Sequence, residues 1–184
     1  MGNVIYLVRH TPVEGMEGIC YGQSDVALGS SFDSVANRVK HKLTGVRFDK
    51  LISSPLTRCR LLASVLQESY QTDSRLMETN FGEWELLTWN EIYETVEGKA
   101  WFGDYLNQSP PGGESFRMLI GRISQFIKEQ IPPDESIVIV THAGPVRAFL
   151  VAMGLVKAED AFDVKPDYGE VIKIENNSYN YITL

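Results

Sequence analysis

The sequence predicts a three-layer α/β/α sandwich whose sheet is mostly parallel with an antiparallel edge strand. Three observations predict this α/β class. Apolar, β-branched runs typical of strands buried on both faces alternate with amphipathic helical patterns. The chain closes on a pattern typical of a β-hairpin, which supplies the antiparallel edge. Its 184 residues fit a single domain spanning 1–184.

The first strand and the first helix follow from two different periodicities. Residues 3–8 form a nearly continuous apolar run, and Pro12 ends regular strand pairing. A glycine-rich stretch from 14 to 29 predicts a long loop. Apolar residues then recur every three to four positions, which predicts a helix over 32–46 with one buried face.

A second strand and helix follow at once. Residues 49–54 are the strand, and Ser54 and Pro55 suit the N-cap and first turn of a helix that runs to about Tyr70. The segment 71–111 then changes character, because it holds all three tryptophans and many acidic residues. Helical spacing from Trp89 to Val96 indicates that this segment is a helical, cap-like excursion from the main sheet.

The second half of the chain completes the sandwich. A Pro-Pro-Gly-Gly turn at 110–113 precedes the most regular amphipathic pattern in the chain. The predicted elements are a helix over 116–131, a buried strand over 136–141, a helix over 146–153 opened by Pro145, and a hairpin of 170–174 with 179–183. The outer strand of that hairpin offers an edge through which two copies of the chain could pair as a homodimer.

Composition excludes several classes of function. The formal net charge of −7 argues against broad electrostatic binding to nucleic acid or to an anionic membrane, although a cleft can still attract a small anion. Cys20 and Cys59 are the only cysteines, without metal-ligand spacing, so two reduced thiols in a cytoplasmic protein are expected and no metal site is indicated. The apolar run at 4–8 is too short for a signal or a membrane span.

Reactive side chains follow each of the three buried strands. The first strand ends at Arg9 and His10, the second leads to Ser54 and Arg58, and the third ends at His142. Ligands bind beyond the carboxyl ends of strands in open parallel sheets. A lone histidine there would most often be structural, but two histidines with two arginines point to a site.

This set of side chains suits a phosphoryl group. Arginine matches phosphate oxygens with a planar, permanently charged fork. A neutral imidazole is a good nucleophile towards phosphorus, and nearby guanidinium groups help to keep it unprotonated. Its second nitrogen must then donate to a fixed acceptor, typically a carbonyl. The chemistry needs neither a metal nor a cofactor, and the expected partner is a small phosphorylated substrate.

A proton donor for the leaving oxygen is also required. The tract 75–85 offers Glu78, Glu83 and Glu85 beside aromatic residues. A carboxyl group in a dry pocket next to a phosphate dianion gains a pKa high enough to act as an acid near neutrality. Periodicity alone does not choose among the three, and a solvated acidic turn is the alternative interpretation.

Five motifs in order along nearly the whole chain resemble the histidine phosphatase superfamily, in the branch of the cofactor-dependent phosphoglycerate mutases and small-molecule phosphatases. They are Arg9-His10-Thr11, Ser53-Ser54-Pro55-Leu56-Thr57-Arg58, Glu78 with Phe81-Gly82-Glu83-Trp84-Glu85, Gly112-Gly113-Glu114-Ser115, and Thr141-His142-Ala143-Gly144. The resemblance implies a phosphoglycerate mutase-like fold and a phosphohistidine mechanism.

The resemblance also implies roles for individual residues. His10 would be the nucleophile and Glu78 the general acid, with Glu83 and Glu85 in supporting positions and a contribution from Glu83 left open. Arg9, Arg58 and His142 would hold the phosphoryl group. The implied substrate-binding set also includes Tyr21, Gly22, Gln23 and Ala143, the last through its amide near a helix start.

Three further features resemble the alpha-ribazole phosphatase group of cobalamin biosynthesis, which removes the 5′-phosphate of alpha-ribazole phosphate. They are Arg9-His10-Thr11 with threonine in third place, Cys20-Tyr21-Gly22-Gln23-Ser24-Asp25, and Arg58-Cys59 with Leu62-Ala63. A broad-specificity sugar-phosphate phosphatase, a phosphoglycerate mutase-like enzyme and an inactive module that binds phosphorylated ligands are the alternatives. The short chain favours a phosphatase over a mutase.

Three residues depart from the family pattern without touching those assigned to phosphoryl transfer, and five aromatic residues bear on the substrate. Met16, Leu62 and Leu86 depart from the family pattern, Met16 standing where many members have a phosphate-contacting asparagine. The candidates to stack on a flat base are Trp84, Trp89, Tyr93, Trp101 and Tyr105. The alternative for each aromatic residue is a place in the hydrophobic core of the excursion.

Overall fold

A six-stranded mixed sheet forms the centre of the computed structural model, which describes residues 3–183. Its strands are β1 (Val4–Arg9), β2 (Lys50–Ser53), β3 (Gln71–Thr72), β4 (Ser136–Thr141), β5 (Val171–Glu175) and β6 (Ser178–Tyr181), in the order β3-β2-β4-β1-β5-β6. Strands β1 to β4 pair in parallel, whereas β5 runs antiparallel to β1 and to β6. The predicted fold class is confirmed.

Helices cover both faces of this sheet. They are α1 (Phe32–Lys42), α2 (Thr57–Leu66), α3 (Trp89–Glu94), α4 (Val96–Gly103), α5 (Phe116–Gln130) and α6 (Ala143–Ala152), with short 3-10 helices at Ser74–Leu76, Gly82–Trp84 and Ala158–Asp163. Alternate residues of β1 point to opposite faces. Leu7 packs in the cluster that contains the buried residues of α5 and α6, and Val8 packs in the cluster formed with α1 and α2. Both faces of the central strands are therefore buried.

The register of the central strands brings three strand ends together. Arg9 at the end of β1 pairs with Thr141 at the end of β4. The His10 amide then donates to the Thr141 carbonyl at 3.0 Å, and the Ser54 amide donates to the Val140 carbonyl at 2.9 Å. The residues that follow β1, β2 and β4 thus lie at one edge of the sheet.

Several helix boundaries differ from the predicted ones. Helix α1 ends at Lys42, because the chain turns before Gly45, which has a φ of +78°. Helix α2 begins at Thr57 after the extended residue Leu56 and ends at Leu66, so Ser54 is not its N-cap. The carboxylate of Asp25, from the glycine-rich loop, accepts the Thr57 amide at 3.0 Å instead.

The excursion also differs in detail. Residues 71–72 pair with β2 and so belong to the sheet. The predicted helix from Trp89 to Val96 is broken at Thr95, whose hydroxyl accepts the Gly98 amide at 2.9 Å and caps α4. Helix α6 begins at Ala143, two residues before Pro145, which occupies its first turn.

The excursion has a small core of its own. It consists of Cys20, Trp84, Ile92 and Trp101, with Phe81, Trp89 and Tyr105 packed against it. The C-terminal hairpin turns at Asn176 and Asn177, both left-handed, as in a two-residue hairpin loop. Strand β6 is the outermost strand on its side of the sheet. Among residues 3–183, no helix has the length and apolar character needed to cross a membrane.

Candidate active site

His10 is held in one tautomer immediately after β1. Its Nδ1 lies 2.7 Å from the carbonyl oxygen of Thr11. A carbonyl only accepts hydrogen bonds, so Nδ1 carries the proton and Nε2 keeps its lone pair. The imidazole is therefore held with the lone pair on Nε2, by the kind of carbonyl contact that the sequence predicted.

His142 is held by two side chains from the region after β2. The Nε–H of Arg58 donates to its Nδ1 at 3.2 Å, and its Nε2 lies 2.8 Å from the Ser54 hydroxyl. Because a guanidinium only donates, the proton of the neutral imidazole is on Nε2 and points to Ser54. The ring lies edge-on to His10, with 5.0 Å between ring centroids. Ser54 thus orients His142 instead of capping a helix.

The two arginines are fixed by carbonyl oxygens. Arg58 is fully buried and donates to the carbonyls of Gly22 at 2.7 Å and Ser24 at 2.8 Å. Arg9 donates through Nη1 to the Pro166 carbonyl at 2.8 Å. Neither guanidinium forms an ion pair with a described carboxylate, and the buried Nε of Arg9 has no hydrogen-bond partner within residues 3–183. Their positive charge remains available to an anion.

The electrostatics keep both imidazoles neutral. Burial, followed by the charges of Arg58 and Arg9, lowers the pKa of His10 well below its usual value. Burial, followed by His10 and Arg58, does the same to the pKa of His142. The sequence pointed to repulsion by arginine, and the structure adds burial as the larger cause. Within the described chain, no three His, Cys, Asp or Glu side chains group to hold a metal ion.

The carboxylate of Glu78 is anchored at the start of α6. Its Oε1 accepts the Gly144 amide at 3.1 Å and the Thr79 amide at 2.9 Å. Its carbonyl oxygen accepts the Gln23 side-chain amide at 2.8 Å and the Arg122 guanidinium at 2.9 Å. Gln23 is thus directed at the backbone of Glu78 and does not line the cavity described below. In this arrangement Gln23 supports the segment that carries Glu78.

The other acidic residues of the tract occupy supporting or exposed positions. The Glu85 carboxylate accepts hydrogen bonds from the backbone amide of Gln23 at 2.9 Å and from the Ser24 hydroxyl at 2.5 Å. These bonds fix the loop around Gly22. Glu83 is exposed. Glu114 accepts the Asn80 amide at 2.9 Å and pairs with Arg122 at 2.7 Å, so this ion pair holds the segment that carries Glu78.

A cavity of about 630 Å³ opens beside these residues. Arg9, Tyr21, Gly22, Glu78 and Ala143 line it, together with Gly144 at the start of α6. An aromatic wall of the cavity consists of Phe81, Trp89, Trp101, Phe102, Tyr105 and Phe162. Of the five aromatic candidates, Trp89, Trp101 and Tyr105 line the cavity, whereas Trp84 is buried in the core of the excursion and Tyr93 is half exposed.

Among the lining residues that no sequence motif indicated are Tyr168 and Arg147. Tyr168, from the loop before β5, packs its ring on the Arg9 guanidinium at 3.8 Å and bonds to the Tyr21 hydroxyl at 3.0 Å. Arg147, on α6, lies over the Phe162 ring at 4.8 Å and donates through Nε to the Val164 carbonyl at 2.9 Å. Neither carried a local signal, because each acquires its position from segments distant in sequence.

The cavity and the imidazole pair do not meet in this structure. His10 is 1% exposed and His142 is fully buried. Of the phosphoryl-binding set implied by the motifs, Arg9 alone reaches the cavity wall, and His10, Arg58 and His142 lie behind it. The four residues Arg9, His10, Arg58 and His142 are nevertheless brought together, as their positions after the strands predicted.

Comparison with known proteins identifies the family. The family model described as the histidine phosphatase superfamily (branch 1) matches residues 5–182. The chain belongs to this superfamily. Its curated relatives within the superfamily include both mutases and phosphatases.

A 2,3-bisphosphoglycerate-dependent phosphoglycerate mutase of Cytophaga hutchinsonii is 27% identical over 98% of this chain and 94% of its own length. A broad-specificity phosphatase of Saccharomyces cerevisiae is 26% identical over 79% of this chain and 68% of its own length. Among solved structures of the superfamily fold, the alpha-ribazole phosphatase of Shigella flexneri superposes with a TM-score of 0.82 at 23% identity, covering 97% of this chain and 94% of that one. At that identity the structural likeness shows the shared fold.

Proposed function

We propose that the protein is a metal-independent phosphomonoesterase that works through a phosphohistidine on His10. The observation that carries the proposal is the hydrogen bond from His10 Nδ1–H to the Thr11 carbonyl, which leaves a neutral Nε2 beside two guanidinium groups without carboxylate partners. A nucleophile of this kind needs no base, because burial and the arginines already keep it unprotonated.

The reaction proceeds in two balanced steps. In the first, Nε2 attacks phosphorus, the bond between phosphorus and the ester oxygen breaks, and Glu78 gives its proton to the leaving alcohol. In the second, water attacks phosphorus, the bond between phosphorus and Nε2 breaks, and Glu78 takes a proton from that water as inorganic phosphate leaves. Arg9 and Arg58 stabilise the negative charge of the transferring group in both steps.

The positions of Glu78 and α6 support these roles. The Gly144 amide fixes the Glu78 carboxylate at the cavity wall, where a leaving oxygen would pass. Ala143 is the first residue of α6, so its amide is directed towards the same wall with the favourable dipole of the helix. His142 positions Arg58 through Nδ1. Its Nε2–H, which points to Ser54, becomes a donor to a phosphoryl oxygen when it leaves that hydroxyl.

Alpha-ribazole 5′-phosphate is the substrate that we propose for this centre, which places the enzyme in cobalamin biosynthesis. The aromatic wall supports it, because the rings of Trp89 and Trp101 are nearly parallel, with 5.9 Å between centroids and 19° between planes, and a flat base stacks well on such surfaces. The cavity volume of about 630 Å³ suits a nucleoside-sized ligand. A cytoplasmic location accompanies this proposal, since both cysteines are free thiols.

A phosphorylated carboxylic acid is the second candidate, favoured by Arg147. This guanidinium lines the cavity, and its Nη groups have no hydrogen-bond or ion-pair partner among the described residues. A broad-specificity phosphatase or a mutase-like enzyme would use it to bind a second anionic group. Replacement of Arg147 by Gln should then raise KM for 3-phosphoglycerate more than for p-nitrophenyl phosphate.

Hydrolysis of p-nitrophenyl phosphate in EDTA tests the enzyme class. The wild-type protein should hydrolyse p-nitrophenyl phosphate, and the His10→Ala variant should not. The His41→Ala variant should hydrolyse it at the wild-type rate, because His41 is exposed on α1. Equal turnover by the wild type and the His10 variant would contradict the proposal. An absence of turnover in both would favour an inactive ligand-binding module.

A panel of phosphomonoesters tests the substrate. It contains alpha-ribazole 5′-phosphate, a nucleoside 5′-phosphate, a sugar phosphate and 3-phosphoglycerate. The proposal requires the highest kcat/KM for alpha-ribazole 5′-phosphate. Equal rates across the panel would instead indicate a broad-specificity enzyme, and conversion of 3-phosphoglycerate to 2-phosphoglycerate would indicate a mutase.

A further inference from the structure

A hydrogen-bonded pair of tyrosines lines the cavity beside His10. The hydroxyls of Tyr21 and Tyr168 are 3.0 Å apart, although the two residues are 147 positions apart in sequence. Tyr21 belongs to the loop after β1, and Tyr168 belongs to the loop before β5. Both line the cavity, while His10 next to Tyr168 is 1% exposed. The hydrogen bond therefore joins two cavity-lining loops, one of which contacts the His10 ring.

Each tyrosine ring also contacts one arginine of the centre. The Cζ atom of Arg9 lies 3.8 Å from the centroid of the Tyr168 ring, and that of Arg58 lies 5.1 Å from the centroid of the Tyr21 ring. The Tyr168 ring is also 5.4 Å from the His10 ring. These contacts attach the pair to the three groups that act on phosphorus, so movement of the pair and entry of a phosphoryl group are coupled.

One hydroxyl proton of the pair has no acceptor among the described residues. Two hydroxyls carry two protons, and the hydrogen bond between them uses one. No described residue accepts the other proton. Once separated, Tyr21 and Tyr168 can each donate to an oxygen of the same anion, and hydrogen bonds to a charged acceptor are stronger than the neutral bond that they replace.

We propose that Tyr21 and Tyr168 form a gate that the phosphoryl group of the substrate opens, each hydroxyl then donating a hydrogen bond to a phosphoryl oxygen. This inference rests on the proposed function, since it assumes that phosphorus must reach His10. It accounts for the burial of His10 behind a cavity that a phosphorylated substrate would enter. It also assigns Tyr168, for which no motif gave a role, to phosphoryl binding.

The kinetic test uses variants that keep both rings. Tyr21→Phe and Tyr168→Phe should each raise KM for p-nitrophenyl phosphate and the inhibition constant of inorganic phosphate about 10-fold, the usual effect of losing a hydrogen bond to a charged group. Since the contact exists in both the bound substrate and the transition state, kcat should change little. Tyr93→Phe, at an exposed site outside the cavity, is the matched control. Values within 2-fold of wild type in the double Tyr21→Phe, Tyr168→Phe variant would overturn the inference.

The gate has a second readout that needs no turnover. Diethyl pyrocarbonate modifies accessible neutral imidazoles, and peptide mass spectrometry follows His10 against the exposed His41 in the same sample. In Tyr168→Ala the modification rate of His10, relative to His41, should rise at least about 10-fold, and inorganic phosphate should suppress the rise. A smaller rise is expected in the double phenylalanine variant, which also provides the measurement if Tyr168→Ala does not fold.

The two proposals fail in different ways. If the relative rate of His10 stays at the wild-type value in both variants, the gate is wrong whatever the enzyme does. If His10→Ala remains active while Tyr168→Ala exposes His10, the gate exists and the phosphohistidine mechanism is wrong.

Discussion

The amide of Gly144, in the first turn of α6, donates a hydrogen bond to Oε1 of Glu78 at 3.1 Å. This bond connects the end of β4, where His142 lies, with the tract that carries the proposed general acid. A side chain at position 144 would collide with the Glu78 carboxylate and the Thr79 hydroxyl. Glycine is therefore required at position 144 because the Glu78 side chain approaches its backbone closely, and not because of a positive φ.

Gly144→Ala should displace Glu78 without unfolding the protein. We expect kcat/KM for an alkyl phosphate to fall about 100-fold, the effect of misplacing a reacting group by about 1 Å. Gly121→Ala in α5 is the matched control, because a Cβ there meets nothing within 4 Å, and it should leave kcat/KM unchanged. If a folded Gly144→Ala variant had wild-type kcat/KM, Glu78 would have no role in the reaction.

Glu78→Gln should reveal a dependence on the leaving group. For an alkyl phosphate, whose leaving alkoxide is strongly basic, kcat/KM should fall by about 10²–10⁴. For p-nitrophenyl phosphate the loss should be much smaller, since nitrophenolate leaves without protonation. The same comparison in Glu83→Gln is the control, because Glu83 is exposed. Equal losses for both substrates in Glu78→Gln would mean that Glu78 binds substrate and transfers no proton.

Arg58→Lys should inactivate the enzyme although it conserves charge. Arg58 holds His142 and the carbonyls of Gly22 and Ser24 with three separate N–H groups, and an ammonium on a flexible chain does not reproduce that planar fork. We expect kcat to fall about 10²–10³-fold, as for loss of a preorganised donor. Arg38→Lys, on the exposed face of α1, should have wild-type kcat. A fall of less than about 3-fold in Arg58→Lys would contradict the assigned geometry.

Stability should decrease as pH falls from about 6.5 to 5. The pKa values of His10 and His142 are lowered in the folded state, so protons bind these residues first in the unfolded chain. The free energy of unfolding then falls with decreasing pH by at most about 2.7 kcal/mol per unit for two histidines. Urea unfolding at a series of pH values measures this slope.

His10→Asn is the control for that slope. Removing one of the two buried imidazoles should reduce the slope between pH 6.5 and 5 by about half. An unchanged slope would show that other groups are responsible for the loss of stability.

Trp89→Ala should change substrate preference. Trp89 lines the cavity and packs nearly parallel to Trp101, so a base placed on this wall loses a stacking partner. KM for alpha-ribazole 5′-phosphate or a nucleoside 5′-phosphate should rise about 10-fold, within the range for loss of one base–aromatic contact. KM for glycerol phosphate should stay constant. A parallel rise for both kinds of substrate would indicate that Trp89 only supports the fold.

Sequence patterns were sufficient to predict the fold class and the centre of the site. The strand that ends at Arg9 and the strand that ends at Thr141 are continuous apolar runs, which are local signals of buried parallel strands. Because parallel strands present their carboxyl ends at one edge, His10 and His142 had to lie close together. That consequence depends on topology and not on side-chain detail.

Helix boundaries were less predictable, because distant residues determine them. Ser54 has the chemistry of an N-cap, but its hydroxyl serves His142, and Asp25 supplies the acceptor for the first turn of α2. Thr95 interrupts a continuous helical pattern since its hydroxyl caps a new helix. Each outcome reflects a competition between local and long-range hydrogen bonds.

Local sequence patterns were enough to predict the alternation of strands and helices, the motifs at the strand ends and the need for a carbonyl-held imidazole. The burial that keeps both imidazoles neutral came from tertiary packing. The tertiary structure decided which loops meet in front of His10, so it alone revealed Tyr168 and Arg147 and turned Gln23 towards Glu78. Strand and helix patterns arise from neighbours along the chain. Contacts such as Tyr21 with Tyr168, 147 residues apart, leave no periodic trace and form only when the packed sheet brings their loops together.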